Sequence, residues 1–344
     1  MKILGIETSC DETSVAIVED GKNIIFSEVF SQQSIHSDYY GVVPELSARA
    51  HLEKIGFLIE NSIRETKLSF NDIDVFAVTN RPGLIGSLIT GITVAKVLSF
   101  LFSKPIIGID HLLAHLYAVF LGKKEPEFPF IGLVVSGGHT LLFTVKSWED
   151  IVVEGYTLDD AAGEAFDKVS KILGLGYPGG PFIDKIAKNG DPDSVKMPSV
   201  DMYEKNKDNF YFSYSGLKTA VLFYLKKNPS VRIEDLAASF QKSAVSVLYE
   251  KTLRLSRERK IPRIVVAGGV AANSLLRKLF IENIPSDTEV FLAEPSLCSD
   301  NAAMVAGLAY YYAKKSKFDD QTLNAYARSE LFLKKGVKKD ARKT

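Results

Sequence analysis

His111 and His115, in Asp110-His111-Leu112-Leu113-Ala114-His115-Leu116, stand four residues apart, the spacing that stacks two imidazoles on one helix face within reach of a single metal ion. The chain holds five histidines in all, so the pairing carries information. Two helix-surface histidines in ordinary solvent contact give the same spacing, and both readings stay open. Leu112, Leu113 and Ala114 separate the two, so the general-base glutamate of an H-E-x-x-H zinc protease is missing and a proteolytic role is disfavoured. A third ligand has to come from elsewhere, since a catalytic metal site takes about three protein donors and keeps a position open. Asp300, in Cys298-Ser299-Asp300-Asn301 at the head of the last predicted helix, is the candidate, although a carboxylate there serves equally as an N-cap.

A second kind of chemistry is suggested by small, polar turns. Ser136-Gly137-Gly138-His139 follows the apolar run Ile131–Val135, and Thr8-Ser9-Cys10-Asp11 follows Lys2–Glu7 in the same way. Each reads as strand, turn, strand. Such a turn offers backbone N–H groups and hydroxyls with little side-chain bulk, so an anionic group can approach the main chain. Val265–Asn273 takes a buried strand through Gly268-Gly269 into a helix, where a nucleotide base or ribose could lie against the backbone with Asn273 bonding to it; a ligand-free βα turn reads identically. Gly174–Pro181 is another glycine-rich loop, flanked by Asp167 and Asp184. There is no G-x-x-x-x-G-K-[ST] P-loop and no Rossmann fingerprint after a strand, so phosphates fall to the paired hairpin turns.

The elements that must position these residues follow from apolar periodicity. Lys2–Thr8, Ser14–Glu19 and Asn23–Ser31 read as a three-stranded meander, followed by a helix between Pro44 and Lys67, a strand at Val75–Thr79, a helix over Gly86–Phe102, a strand at Pro105–Ile109 and a helix from His111. The second half begins alike, with strands at Ile131–Val135, Thr140–Val145 and Ile151–Tyr156. It resumes with strand Ile264–Ala267, helix Ala271–Phe280, strand Glu289–Ala293 and helix Ala302–Lys314. The expected organisation is a first lobe over 1–125, completed by a helix at 300–325, a second lobe over 126–299 with a helical insertion at about 158–262, and a basic tail over 326–344. Duplicated βββαβα lobes in an α/β chain resemble the actin, sugar-kinase and heat-shock ATPase superfamily, a likeness of fold that leaves the reaction open.

At 344 residues, 46% of them hydrophobic, the chain can bury two cores. Lysine plus arginine balances aspartate plus glutamate at 42 each, so no global field announces a nucleic acid or membrane, and any such partner must use a local patch. Cys10 and Cys298 are too few for a disulfide framework and fit a reducing compartment. No signal peptide is visible, and the longest apolar stretch, Ile92–Phe102, is interrupted by Lys96 and too short to span a bilayer. A cytoplasmic, soluble protein is the expectation.

With these residues in hand, the chain resembles the TsaD family of tRNA N6-adenosine threonylcarbamoyltransferases, whose archaeal and eukaryotic relatives sit in the KEOPS complex. The likeness runs over nearly the full length through Gly5–Ser14, His111–Leu116, Val135–Thr140, Thr157–Lys168, Tyr177–Pro181, Phe212–Ala220 and Ser299–Met304. The resemblance implies transfer of threonylcarbamoyl from threonylcarbamoyl-AMP to N6 of adenosine 37 of tRNA. It implies one iron or zinc ion on His111, His115 and Asp300, and an adenylate lined by Val134, Val135, Ser136, Gly137, Gly138, Asp167, Gly180, Asp184 and Asn273. It implies, as partners, a shorter paralogue, TsaB, and an ATPase, TsaE. Two positions depart from the family pattern: Arg81 stands where a glycine is expected before Pro82-Gly83-Leu84, and Asp110 where an asparagine precedes the first histidine. A small-molecule kinase of the same fold, or a nucleotide-gated interaction subunit, are the alternatives; neither has a use for the histidine pair.

Overall fold

In the computed structural model, which describes residues 1–39, 41–198 and 209–332, two five-stranded mixed sheets repeat one topology. The first holds β1 (Lys2–Glu7), β2 (Glu12–Glu19), β3 (Asn23–Ser31), β4 (Val75–Arg81) and β5 (Ile106–Asp110) in the order β3-β2-β1-β4-β5. The second holds β6 (Phe130–Val135), β7 (Thr140–Ser147), β8 (Asp150–Tyr156), β9 (Arg263–Ala267) and β10 (Glu289–Leu292) in the order β10-β9-β6-β7-β8. Read from the meander, both are the same arrangement: β1 and β6 pair antiparallel with the next strand and parallel with the fourth. The short polar turns therefore occupy equivalent places, at the carboxyl ends of the two central strands, where open α/β sheets bind ligands.

Helices α1 (Gln33–His36), α2 (Pro44–Thr66) and α3 (Ile85–Phe102) belong to the first half, and α4 (His111–Tyr117) follows β5 directly. Alternation along β1 divides its neighbours: Leu4 and Ile6 join the cluster with Ile55, Leu58, Leu88 and Ile92 of α2 and α3, whereas Ile3 joins that of α4 and the last helix. Both faces are buried, hence the continuous apolar run Ile3-Leu4-Gly5-Ile6 within β1. Between β8 and β9 lie α5 (Ala162–Ile172), α6 (Gly179–Ala187), α7 (Ser215–Lys227) and α8 (Ile233–Arg259), in the stretch expected to be a helical insertion. After them come α9 (Ser274–Glu282) and α10 (Ala302–Lys314).

Three details differ from the sequence expectation. The helix expected from Ala271 begins at Ser274, because Asn273 caps it: its side-chain oxygen accepts from Leu276 N at 3.0 Å, and Gly269–Ala272 forms a 3-10 turn instead. Helix α3 starts at Ile85, and at 18 residues it is, by length and composition, apolar enough to cross a membrane; one side packs on β4 and α2. Residues 326–332, expected within the tail, pack on the body of the fold: Tyr326 N donates to Asn80 O at 2.9 Å in the first lobe, and Phe332 meets Tyr156 of β8 in the second. The rest of that tail, residues 333–344, lies outside the described residues.

Gly268 turns β9 toward the cleft at φ +94°, and a Cβ there would stand 2.5 Å from Val135 O, whereas a Cβ on neighbouring Gly269 meets nothing within 4 Å. Gly268→Ala is expected to cost roughly 2–4 kcal/mol of stability through strain and overlap, and Gly269→Ala no more than about 0.5 kcal/mol. Thermal unfolding of the two variants checks this; equal melting points would contradict it.

Candidate metal centre and nucleotide cleft

Helix α4 begins without a linker after β5, and Asp110 caps it by accepting from Leu112 N at 2.9 Å. This puts His111 in the first turn and His115 one turn on, with ring centroids 4.5 Å apart. Asp300 arrives from the other half of the sequence. Its alternative role as an N-cap is taken by its neighbour Asn301, whose side chain accepts from Met304 N at 3.0 Å, so the Asp300 carboxylate is released toward α4. Asp300 Oδ1 stands 3.1 Å from His115 Nε2 and 3.6 Å from His111 Nε2, and one ligand atom from each of the three residues lies within 4.8 Å of the others.

Whether this trio fits an ion is tested by His115. Its ring is fully buried, yet neither nitrogen makes a hydrogen bond. The 3.1 Å approach of Nε2 to Asp300 is of ion-pair length but off the axis that a hydrogen bond needs. An imidazole nitrogen left orphaned in this way is costly unless it serves as a donor to a cation. Two imidazoles and a carboxylate are a donor set suited to zinc or ferrous iron.

Behind the trio, a buried carboxylate orients the first imidazole. Glu7 Oε2 lies 3.0 Å from His111 Nδ1 and accepts from Thr79 Oγ1 at 2.6 Å, while Glu7 Oε1 accepts from Ser9 N at 2.6 Å. With Nδ1 so engaged, Nε2 is the nitrogen turned to Asp300, the arrangement in which a carboxylate sets the tautomer of a ligating histidine. Burial opposes charge on His111, but Asp300 and Glu7 outweigh it and raise its pKa to about 9. Burial also opposes the charge on Asp300, and His111 followed by His115 overcomes it, holding that carboxyl far below its usual range. His115 is lowered by burial and by His111. Without a metal ion, the proton on His111 offsets part of the charge of the two carboxylates.

Two of the trio, His111 and Asp300, line a cleft of about 840 Å³ between the halves, and His115 is fully buried beside it. Seven of the nine residues expected around an adenylate line it: Ser136, Gly137, Gly138, Asp167, Gly180, Asp184 and Asn273. Val134 and Val135 do not; both are fully buried in β6, beneath the turn, because their side chains fill the core on the two sheet faces. Ser136 N donates to His139 O at 2.8 Å and His139 N to Ser136 Oγ at 3.2 Å, which closes the turn and leaves the Gly137 and Gly138 backbone facing the cleft. Three polar lining residues also build the wall. Asp167 accepts from Gly179 N at 2.6 Å, Asp184 accepts from Ser274 N and Oγ at 3.1 and 2.7 Å, and Asn273 caps α9. Burial pushes the Asp167 carboxyl up to about 6.

Other lining residues add to the electrostatics of the cleft. His139 sits with its ring 6.5 Å from that of His111, and burial, reinforced by His111 and His115, pushes its pKa down to about 4, leaving it neutral at pH 7. Glu12 is raised well above its usual range by burial, then by Asp300 and Asp11. Glu7 carried a signal, a lone carboxylate closing an apolar strand; nothing in the sequence linked it to His111, 104 positions away.

A family model described as TsaD, tRNA N6-adenosine threonylcarbamoyltransferase, matches residues 23–307. Curated proteins of that name from Brachyspira hyodysenteriae and Kosmotoga olearia are 49% and 48% identical, over 95% and 94% of this chain and 96% and 97% of their own lengths. Among solved structures, HypF in its phosphate- and nucleotide-bound form aligns at TM-score 0.60 and 14% identity, over 92% of this chain and 56% of that one. The activator of the 2-hydroxyisocaproyl-CoA dehydratase from Clostridium difficile aligns at TM-score 0.54 and 17% identity, over 92% and 97%. These likenesses show the fold, that of the duplicated actin-like ATPase lobes.

His115→Ala or Asp300→Ala is expected to drop bound metal from about one ion per chain to a small fraction of that, measured by elemental analysis of purified protein. Unchanged metal content would contradict the site. Because a ligating His111 must first lose a proton held up to a pKa of about 9, apparent affinity is expected to weaken about tenfold per pH unit as pH falls from 8 to 6. Metal titrations across that range check it, and a flat profile would contradict it.

Proposed function

The chain belongs to the TsaD family of tRNA N6-adenosine threonylcarbamoyltransferases, and on that footing we propose that it transfers threonylcarbamoyl from threonylcarbamoyl-AMP to N6 of adenosine 37, in tRNAs reading codons that begin with A. The observation that carries the reading is that His111 and Asp300 share one cleft with the Gly137-Gly138 turn, Asp167 and Asn273.

The residues divide the work. His111, His115 and Asp300 would hold one iron or zinc ion, which when bound polarises the carbamoyl carbonyl and offsets phosphate charge. Glu7 keeps His111 Nε2 turned inward. The exposed main chain of Gly137 and Gly138 would receive the phosphate, with little side-chain bulk to hinder close approach. Asp167, Gly180, Asp184 and Asn273, anchored through bonds to α6 and α9, would hold ribose and base in a preorganised frame. In the step itself, N6 bonds to the carbamoyl carbon and gives up one proton to the departing phosphate, the carbon–oxygen bond to phosphate breaks, and AMP leaves with that electron pair. Adenosine N6 is a weak nucleophile, its lone pair delocalised into the ring, so positioning and electrophile activation supply most of the acceleration.

The first lobe offers a docking face for the shorter paralogue, TsaB. Ile85, Ile89, Val97, Phe100 and Leu101 form an exposed stripe on α3, beside exposed Leu52 and Phe57 on α2, and Phe100 is 75% exposed. A contiguous apolar face of this kind marks a protein interface. TsaE, the ATPase, and a separate supplier of threonylcarbamoyl-AMP complete the proposed set of partners, and tRNA as substrate supports a cytoplasmic reaction.

Incubation with threonylcarbamoyl-AMP, unmodified tRNA and the partner subunits is expected to yield threonylcarbamoyladenosine, detected by nucleoside mass spectrometry. No product from metal-loaded protein would contradict the assignment. Phe100→Asp with Leu101→Asp is expected to abolish co-purification of the paralogue without changing the melting point; retained pairing would rule out that face.

A further inference from the structure

The segment following α10 folds back along the first lobe and passes the start of the metal-bearing helix. Asp319 N donates to Ile106 O at 2.9 Å, and Gly108 N donates to Asp319 Oδ2 at 2.8 Å. Leu323, 8% exposed, packs over Gly108, where a Cβ would stand 2.6 Å from Leu323 Cδ1. The Asn80 side-chain amide then donates to Asn324 O at 3.2 Å. Ala327 reaches the cleft wall. Beyond it, Phe332 meets Tyr156 of β8 edge-on, at 5.7 Å between centroids. The segment thus touches both sheets and borders the cleft.

Its fastening uses Arg81 and Asp110, at the ends of β4 and β5. Arg81 lies with its guanidinium 4.4 Å from the ring centre of Tyr326 and pairs with Glu330. Ser329, with no exposed surface, donates its hydroxyl to Asp110 Oδ2. The other oxygen of Asp110 is the cap of α4, accepting from Leu112 N. One carboxylate therefore joins the segment to the first turn of the helix that carries His111.

We propose that residues 323–332 are a strap belonging to the active site, in which Ser329 and Arg81 act as positioning residues: Ser329 fixes the Asp110 cap, and through it the aim of His111, while Arg81 clasps the strap in place. The inference rests on the metal reading of His111, His115 and Asp300 for its functional meaning, and on the hydrogen bonds, ion pair and ring contact of the strap for its mechanics. Losing one member of a supporting hydrogen-bond shell lowers metal affinity by up to about tenfold or more without removing a ligand.

The test compares wild-type protein with Ser329→Ala, Asp110→Asn and Arg81→Gly in two readouts. Hydrogen exchange on metal-free protein measures residues 111–117 and 323–332 against β6 as internal reference. Metal titration measures the site. Ser329→Ala is expected to speed exchange in residues 111–117 by at least about threefold, the scale of a weakened cap, and to lower metal affinity several-fold. Asp110→Asn, which keeps an acceptor for Leu112 N and a donor for Ser329, is expected to stay near wild type in both. Arg81→Gly is expected to speed exchange in 323–332. Exchange in 111–117 unchanged by both Ser329→Ala and Arg81→Gly would overturn the strap. Wild-type protein that binds no metal, with the exchange pattern as expected, would overturn the metal reading and leave the strap standing as a support of α4.

Discussion

Helix α10 lies so close to the first strand that a single methyl group at Gly5 would collide with it. A Cβ there would stand 2.5 Å from Ala302 O and 2.9 Å from Ala306, and Ala302 N donates to Ser14 Oγ at 2.9 Å. This contact brings the end of the second half of the chain onto the sheet of the first. It fixes Asp300, two residues before Ala302, opposite His111 and His115, which hang from the edge of the same sheet. His111, His115 and Asp300, spread over nearly 190 positions, converge because small residues on α10 allow the helix to approach the strand backbone.

The same approach explains why the cluster is preorganised. Glu7 ends β1, Thr79 lies in β4 and His111 follows β5, so the carboxylate–imidazole support is strung across three adjacent strands. None of these side chains has to move for His111 to present Nε2. Across the cleft, the equivalent turn at Gly137-Gly138 is open backbone. The duplicated fold is used asymmetrically: one turn backs the His-His-Asp cluster with acids, and the other presents open main chain. Under the proposed function, a cation and a phosphate on opposite lips of one cleft would suit a reaction in which negative charge develops on a leaving phosphate.

Much of this was legible in the amino-acid order. Strand and helix identities followed from period-two and period-3.6 patterning, and the repeated order of elements exposed the duplication. The histidine pair was legible from its spacing within one helix. The choice between ligand and cap at Asp300 was not, because it turns on Asn301 taking the capping role, a one-residue difference in a helix start. Asn273 shows the same limit from the other side: it lines the cleft and also caps α9, so the helix begins three residues later than its apolar pattern suggests. Val134 and Val135 belong to the phosphate-turn motif in sequence, yet alternation on a doubly buried strand sends their side chains into the core. The pairing of Glu7 with His111 and the strap were invisible because their partners lie more than a hundred and more than two hundred residues away, and no local pattern encodes such pairs.

The account depends on an ion gripped across the two halves, and anomalous scattering shows it most directly. Crystals of protein purified without chelator, measured on either side of the iron and zinc edges, should show a single strong peak between His111 Nε2, His115 Nε2 and Asp300, on the wall of the cleft. A map with no peak there, or with the metal on other side chains, would contradict it.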